Sequence, residues 1–269
     1  MKIGLLASYF DDLYIMTYLN KFNIEYDIYL DWLNGPYPDK GFGFSLENIN
    51  RGINYLINKG VQKVIIPPIY ELYLSGDNRI LPIFSNYLNF CLQKSLVGKL
   101  GFIGDISDGE KINELFYKFS SNYKLGSNQK NIKKFNFPFN IWFKQVNLWK
   151  YFLYNLGFKQ DLVNKTVKTD IRYFKDANVD TVIPLNYGYF AFSKTIKNFL
   201  NTKKIRFHGN SVLEQIIFEV LGNNGNKKYN INIHYNGNIQ ILINSKKRNW
   251  IINRGKQSNF NLFYLNLEL

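Results

Sequence analysis

The chain has 269 residues, 46% of them hydrophobic, and a formal net charge of +14. That length holds one large core or two moderate ones, and that apolar content excludes a disordered chain. One cysteine, Cys91, and two histidines, His208 and His234, exclude an internal disulfide and a thiolate-rich zinc site.

No apolar run approaches the roughly 20 residues that a membrane-crossing helix needs. The opening stretch MKIGLLASYFDD reads as a buried first strand followed by two aspartates, not as a secretory signal. A soluble, cytoplasmic protein without a cofactor is expected. Cys91, set in LNFCL, reads as a small buried apolar residue. The charge is uneven. Residues 1–100 carry nine basic and nine acidic side chains, whereas residues 101–269 carry 25 and 11, the whole excess. Such a field could attract nucleic acid, anionic lipid or an acidic protein. The alternative is a compositional bias toward Asn, Lys, Ile, Tyr and Phe, the residues that AT-rich codons supply, which needs no partner.

In chain order, residues 2–7 form a short apolar run ending in small residues, as in a central parallel strand. Residues 13–22 read as helix, 24–30 as strand and 34–41 (NGPYPDKG) as loop. An amphipathic helix follows with Ser45 as its expected N-cap, ended by Gly60 before the strand 61–66. The rhythm repeats through a helix at 83–93, a strand at 99–104 and a helix at 111–119. Residues 121–140 are polar and basic and read as a long surface loop. Helices at 149–156 and 162–176, a strand at 179–184, a helix at 192–200, a strand at 204–208 and a helix at 212–221 complete an α/β pattern. In the tail, residues 229–235 and 238–244 alternate around Asn236-Gly237, the signature of an antiparallel hairpin, with a third strand expected at 250–253. Its lysines and arginines suit either a protected sheet edge or a nucleic-acid platform.

Two segments overlay. Residues 53–65 match residues 171–183, with Val61 on Val179 and Val64 on Val182, a constant offset of 118. Likewise 3–7 echoes 100–104. The expectation is two similar, mostly parallel-sheet (flavodoxin-like) α/β halves related by a pseudo-twofold axis, with a small antiparallel hairpin at the C-terminus. The expected boundaries are 1–97, 98–209, and 210–269, the last holding a helix that packs back on the first half. Ligands in open α/β sheets bind beyond the carboxyl ends of strands, so Pro68 and Asn186 should occupy equivalent places across a cleft.

Taken together, these segments resemble the aspartate/glutamate racemase superfamily, and the glutamate racemases most. Residues 3–8 (IGLLAS) stand where that family has a strand ending in Asp-Ser-Gly. Pro36-Tyr37, with Lys40 and the following helix, is similar to its Pro-Tyr-Gly loop. Residues 64–70 (VIIPPIY) take the place of its Ala-Cys-Asn-Thr motif. Residues 180–189 (DTVIPLNYGY) take the place of its Gly-Cys-Thr-His-Tyr motif, with Asp180, Thr181 and Tyr189 at matching spacing. The resemblance covers most of residues 1–221. It implies a cofactor-independent reaction in which one cysteine from each half works on opposite faces of the substrate α-carbon. Here Pro68 and Asn186 replace those cysteines, Ala7 the supporting aspartate and Gly188 the histidine. Proline carries no side-chain proton and an amide is not a useful base. Cys91 lies far along a separate helix.

The resemblance therefore implies a racemase fold that has lost cysteine-dependent chemistry and acts by binding. The pocket candidates are Ser8, Tyr37, Tyr70, Glu71, Asn186, Tyr187 and Tyr189, with no catalytic or metal-ligating residue assigned. Two alternatives stay open: an isomerase, racemase or lyase acting on a small carboxylate through a rebuilt site using Glu71 and a tyrosine, and a protein that associates with polyanions through residues 101–269.

Overall fold

The computed structural model describes residues 2–22, 24–125, 139–154, 159–201, 204–222, 230–237 and 259–265. The first part of the chain forms β1 (Lys2–Ala7), α1 (Met16–Leu19), β2 (Glu25–Asp31), α2 (Phe42–Asn58), β3 (Lys63–Ile65), α3 (Pro68–Tyr73) and α4 (Ile83–Lys94). There follow β4 (Lys99–Gly104), α5 (Ile106–Leu125), β5 (Asn140–Gln145), α6 (Asn147–Tyr154), α7 (Gln160–Asp176), β6 (Thr181–Pro184), α8 (Ser193–Leu200), β7 (Arg206–Phe207) and α9 (Asn210–Leu221). The tail adds β8 (Asn230–Asn236) and β9 (Asn259–Tyr264).

These strands make two parallel sheets, of order β3-β1-β2-β8-β9 and β5-β4-β6-β7. β1 and β4 are covered on both faces, which explains their unbroken apolar runs. Helices supply the cover through buried stripes at helical spacing, such as Val163, Val167, Ile171 and Phe174 on α7.

The internal repeat is visible in the register. Ile3, Gly4 and Leu5 pair with Lys63, Val64 and Ile65, while Leu100, Gly101 and Phe102 pair with Thr181, Val182 and Ile183. The two glycines do the same work. A Cβ on Gly4 would meet Leu56 and Val61 at 3.0 Å, and one on Gly101 would meet Phe174 at 2.5 Å and Val179 at 3.1 Å. Leu56 and Phe174, like Val61 and Val179, differ by the same 118 positions. In each half a glycine lets the helix that leads into the neighbouring strand, α2 before β3 and α7 before β6, lie close on the central strand.

Several elements differ from the sequence reading. Residues 13–22 make a 3-10 turn over Asp12–Ile15 and then the single turn of α1. α2 starts at Phe42, with Gly41 at the N-cap (φ 84°). Ser45 lies inside its first turn, its hydroxyl donating to the carbonyls of Tyr37 and Gly41 at 2.9 Å. The supposed loop 121–140 opens with the end of α5 and closes on the start of β5. β8 is the expected strand at 229–235, but its described neighbours, β2 and β9, both run parallel to it. The expected partner strand 238–244 and the strand at 250–253 lie outside the described residues. α9 packs on α4 and is tied to the segment after α1 by the Lys21–Glu214 ion pair at 2.6 Å. No helix among the described residues is long and apolar enough to cross a membrane.

Candidate functional site

The carboxyl ends of β1 and β3 face those of β4 and β6, and loops from both halves meet between them. The crevice there is lined by Ser8, Asp11, Asp12, Tyr37, Pro38, Pro67, Ile69, Tyr70, Asp108, Leu185 and Asn186. Its internal space is about 10 Å³. That is room for one water at most.

Aromatic side chains fill much of the rest. The ring of Tyr70 stacks on Phe42 at 5.1 Å between centroids and meets Tyr37 edge-on at 6.2 Å. The Tyr37 hydroxyl donates to Asp31 Oδ2 at 2.7 Å, so this phenol is turned away to a buried acceptor. Burial raises the pKa of both Tyr37 and Tyr70, and the carboxylate of Asp31 pushes Tyr37 further. Neither is disposed to lose a proton.

Asn186 joins the halves. Its Nδ2 donates to Asp11 Oδ2 at 2.6 Å, and its Oδ1 accepts from the Gly188 amide at 2.7 Å. Both ends of the side-chain amide are thus engaged. Gly188 makes the junction possible, since a Cβ there would lie 2.7 Å from Asp11 Cβ and 3.0 Å from Asp11 Cα. Pro68 opens α3 as its first residue, with Pro67 at the N-cap. It is buried but does not line the crevice.

The crevice is acidic. Asp11 and Asp12 come from the turn after β1, Asp105 from just after β4 and Asp108 from the first turn of α5, and all four are buried. Burial drives the Asp11 carboxyl well above its ordinary range, with Asp12 and Asp105 adding repulsion and the Asn186 bond opposing. Asp12 is pushed up to about 6 by burial, against hydrogen bonds from the Ser8 amide (2.8 Å) and hydroxyl (2.9 Å). Asp108 is raised by burial and then by Asp105, although it accepts from the Asp105 amide. Asp105 is also raised by burial, the effect being reduced by Lys150, whose Nζ lies 3.7 Å away. Lys150 also pairs with Asp39. Despite its burial it holds its proton more tightly than a free lysine, because Asp105 and Asp39 face it. Among the described residues no set of three or more His, Cys, Asp or Glu side chains is arranged to hold a metal ion.

Glu71, Tyr187 and Tyr189 sit beside the crevice without lining it. The carboxylate of Glu71 accepts from the amides of Phe84 (2.9 Å) and Ser85 (2.6 Å), bridging α3 to the first turn of α4. Tyr187 donates to it at 3.4 Å, and burial raises the pKa of Glu71 to about 7. Tyr189 donates to Asp105 at 3.2 Å. Cys91 is fully buried in α4, its thiol pushed up to about 12 by burial, and it is not a crevice residue.

No protein-family model and no curated protein matches the chain. Solved structures do. A glutamate racemase from Francisella tularensis, in complex with D-glutamate, superposes with a TM-score of 0.71 over 99% of this chain and 98% of its own, at 15% identity. A Bacillus anthracis isoform gives 0.73 over 100% and 98% at 12% identity, and the Aquifex pyrophilus enzyme 0.60 over 97% and 98% at 18% identity. This is the glutamate racemase fold.

Within the racemase fold, the resemblance read from the sequence assigns the thiol positions to Pro68 and Asn186, and these now open a helix and bind an aspartate. The sequence reading brought Ser8, Tyr37, Tyr70 and Asn186 to the crevice but missed Asp11, Asp12 and Asp108, and also Lys150 beside it. The Asp11-Asp12 pair just past the first strand was the available signal. Lys150 gave none, because a lysine within a helix ordinarily faces solvent.

Proposed function

We propose that this chain is a racemase-fold protein that no longer racemises amino acids by a cysteine mechanism and acts as a binding protein. One observation carries the reading: the crevice between the halves has about 10 Å³ of free space and is closed by Asn186 holding Asp11. Glutamate would have to displace that bond and two tyrosines, Tyr37 and Tyr70. It would also bring two carboxylates against Asp11, Asp12, Asp105 and Asp108, an unfavourable encounter that Lys150 offsets only in part. With a proline and a hydrogen-bonded amide at the paired positions, no side chain there can remove an α-proton and return it from the far side.

The test is solvent deuterium exchange at the α-carbon of D- or L-glutamate and aspartate, followed by proton NMR in D2O. No exchange above the enzyme-free rate is expected. Incorporation at either substrate would overturn the reading.

A second reading, a rebuilt isomerase or lyase site for a small carboxylate, draws on the raised carboxyl groups, since a buried acid titrating at about 6 or 7 could serve as a general acid or base. The acidity of the crevice argues against a carboxylate ligand. The carboxyl of Glu71 is already occupied by the α4 amides.

A further inference from the structure

A different face of the molecule has the opposite charge. On α7, Lys165, Lys168, Arg172 and Lys175 recur at intervals of three and four residues, which places them along one side of the helix. From Lys165 to Lys175 the stripe runs about 15 Å. Two open grooves adjoin along it and share Arg172. One, of about 510 Å³, is lined by Lys165, Lys168 and the ring of Phe199 from α8, and the other, of about 560 Å³, by Lys175 and Lys204. Lys165, Lys168, Arg172 and Lys204 are exposed, and among the described residues none forms an ion pair. Three carboxylates share these grooves: Asp161, Asp176 and Asp180. Asp180 already accepts from the Ser95 hydroxyl and the amides of Leu96 and Val97.

Five cations strung along two open grooves suit an extended polyanion better than a compact one. The aromatic ring among them narrows the choice. Phe199 is half-buried at the edge of the stripe, with Lys175 Nζ 3.5 Å from its centroid. Cationic grooves that carry aromatic rings bind unpaired strands, the cations following phosphates and the rings stacking with bases. An acidic protein segment would use the cations but has no need of the ring.

We propose that the α7 face binds single-stranded nucleic acid, with Lys165, Lys168, Arg172, Lys175 and Lys204 on the phosphates and Phe199 against a base that takes the place of Lys175 over the ring. The inference goes beyond the reading of the crevice and stands independently of it. The probe is a fluorescein-labelled oligodeoxythymidine of about 20 nucleotides, titrated with the full chain and followed by anisotropy between about 50 and 200 mM salt. Five phosphate contacts predict a log–log salt slope of about −3.5, falling to about −2 in the Lys168→Gln/Arg172→Gln double variant. Phe199→Ala should weaken binding about tenfold with the slope unchanged, because stacking releases no counterions. Both substituted cations are exposed, so the double variant should keep its circular dichroism spectrum and melting temperature. Absence of saturable binding at the lowest salt, or a wild-type slope in the double variant, would overturn the proposal. So would displacement of the oligonucleotide by polyglutamate at equal charge, which would point to an acidic protein. None of these outcomes bears on α-proton exchange, which tests the crevice separately.

Discussion

Asn186 Nδ2 and Asp11 Oδ2 stand 2.6 Å apart, joining the turn after β6 to the turn after β1 across the boundary between the halves. The bond is made where the resemblance would place a thiol. An amide suits this position because it donates to one half while accepting from Gly188 in the other. A carboxylate could accept but not donate once ionised, and it would join a cluster that already contains four acids. Asn186→Asp is therefore expected to destabilise the fold by on the order of 3 kcal/mol at pH 8, through lost donation and added like charge. Because the new acid would be protonated more readily when buried, the loss should shrink toward pH 5. Urea unfolding at the two pH values measures this. An equal loss at both would refute the electrostatic explanation.

The native carboxylates make stability depend on pH in a direction opposite to the usual acid unfolding. Asp12 and Glu71 have folded-state pKa values of about 6 and about 7, above those of the unfolded chain. Between the unfolded and folded values the native protein holds more protons than the unfolded one, so stability falls as pH rises through that window. Each group accounts for on the order of 3 kcal/mol between pH 4 and pH 8. Asp12→Asn keeps an acceptor for both Ser8 donors and should flatten this decline. The measurement is melting temperature against pH for both proteins, and parallel curves would contradict the assignment.

The equivalent glycines differ in how much room surrounds them. A methyl group at Gly4 would press on the ends of Leu56 and Val61 at 3.0 Å, whereas at Gly101 it would overlap the Phe174 ring at 2.5 Å. Aliphatic ends can rotate aside, but a ring packed beneath α7 cannot. Gly4→Ala is expected to cost about 1 kcal/mol or less, and Gly101→Ala about 2–3 kcal/mol. Chemical denaturation of the two single variants decides the order.

The repeat was legible because parallel strands between helices must be apolar throughout, so a second copy of the motif shows in the chain itself. Gly4 and Gly101 were visible for the same reason. β5 was not, since Asn140–Gln145 is half-buried at a sheet edge and mixes Asn, Lys and Gln with aromatics. Nor was the acidic crevice. Its aspartates come from two segments, after β1 and after β4, that lie 90 or more residues apart, and an aspartate near a strand end ordinarily reads as a solvated residue. Asn186 was legible as a candidate crevice residue, and it does line the crevice. Its bond to Asp11 depends on both turns and on the absence of a side chain at Gly188.

That last dependence yields a further prediction, because installing the residues that the resemblance implies should not confer racemisation. Pro68→Cys/Asn186→Cys would introduce two thiols, but neither would face a substrate in a crevice with about 10 Å³ of space. The buried aspartates would also oppose thiolate formation, since like charge and burial both raise a thiol pKa. Adding Gly188→His should make matters worse. Its Cβ would fall within 3.0 Å of Asp11 Cα, backbone that cannot yield without separating the halves. The double variant should remain folded and show no α-proton exchange with glutamate, while the triple variant should unfold at a markedly lower temperature, a loss of about 3 kcal/mol or more. Exchange by the double variant would show that the crevice opens to admit a dicarboxylate, and that thiols at the two positions are enough for catalysis.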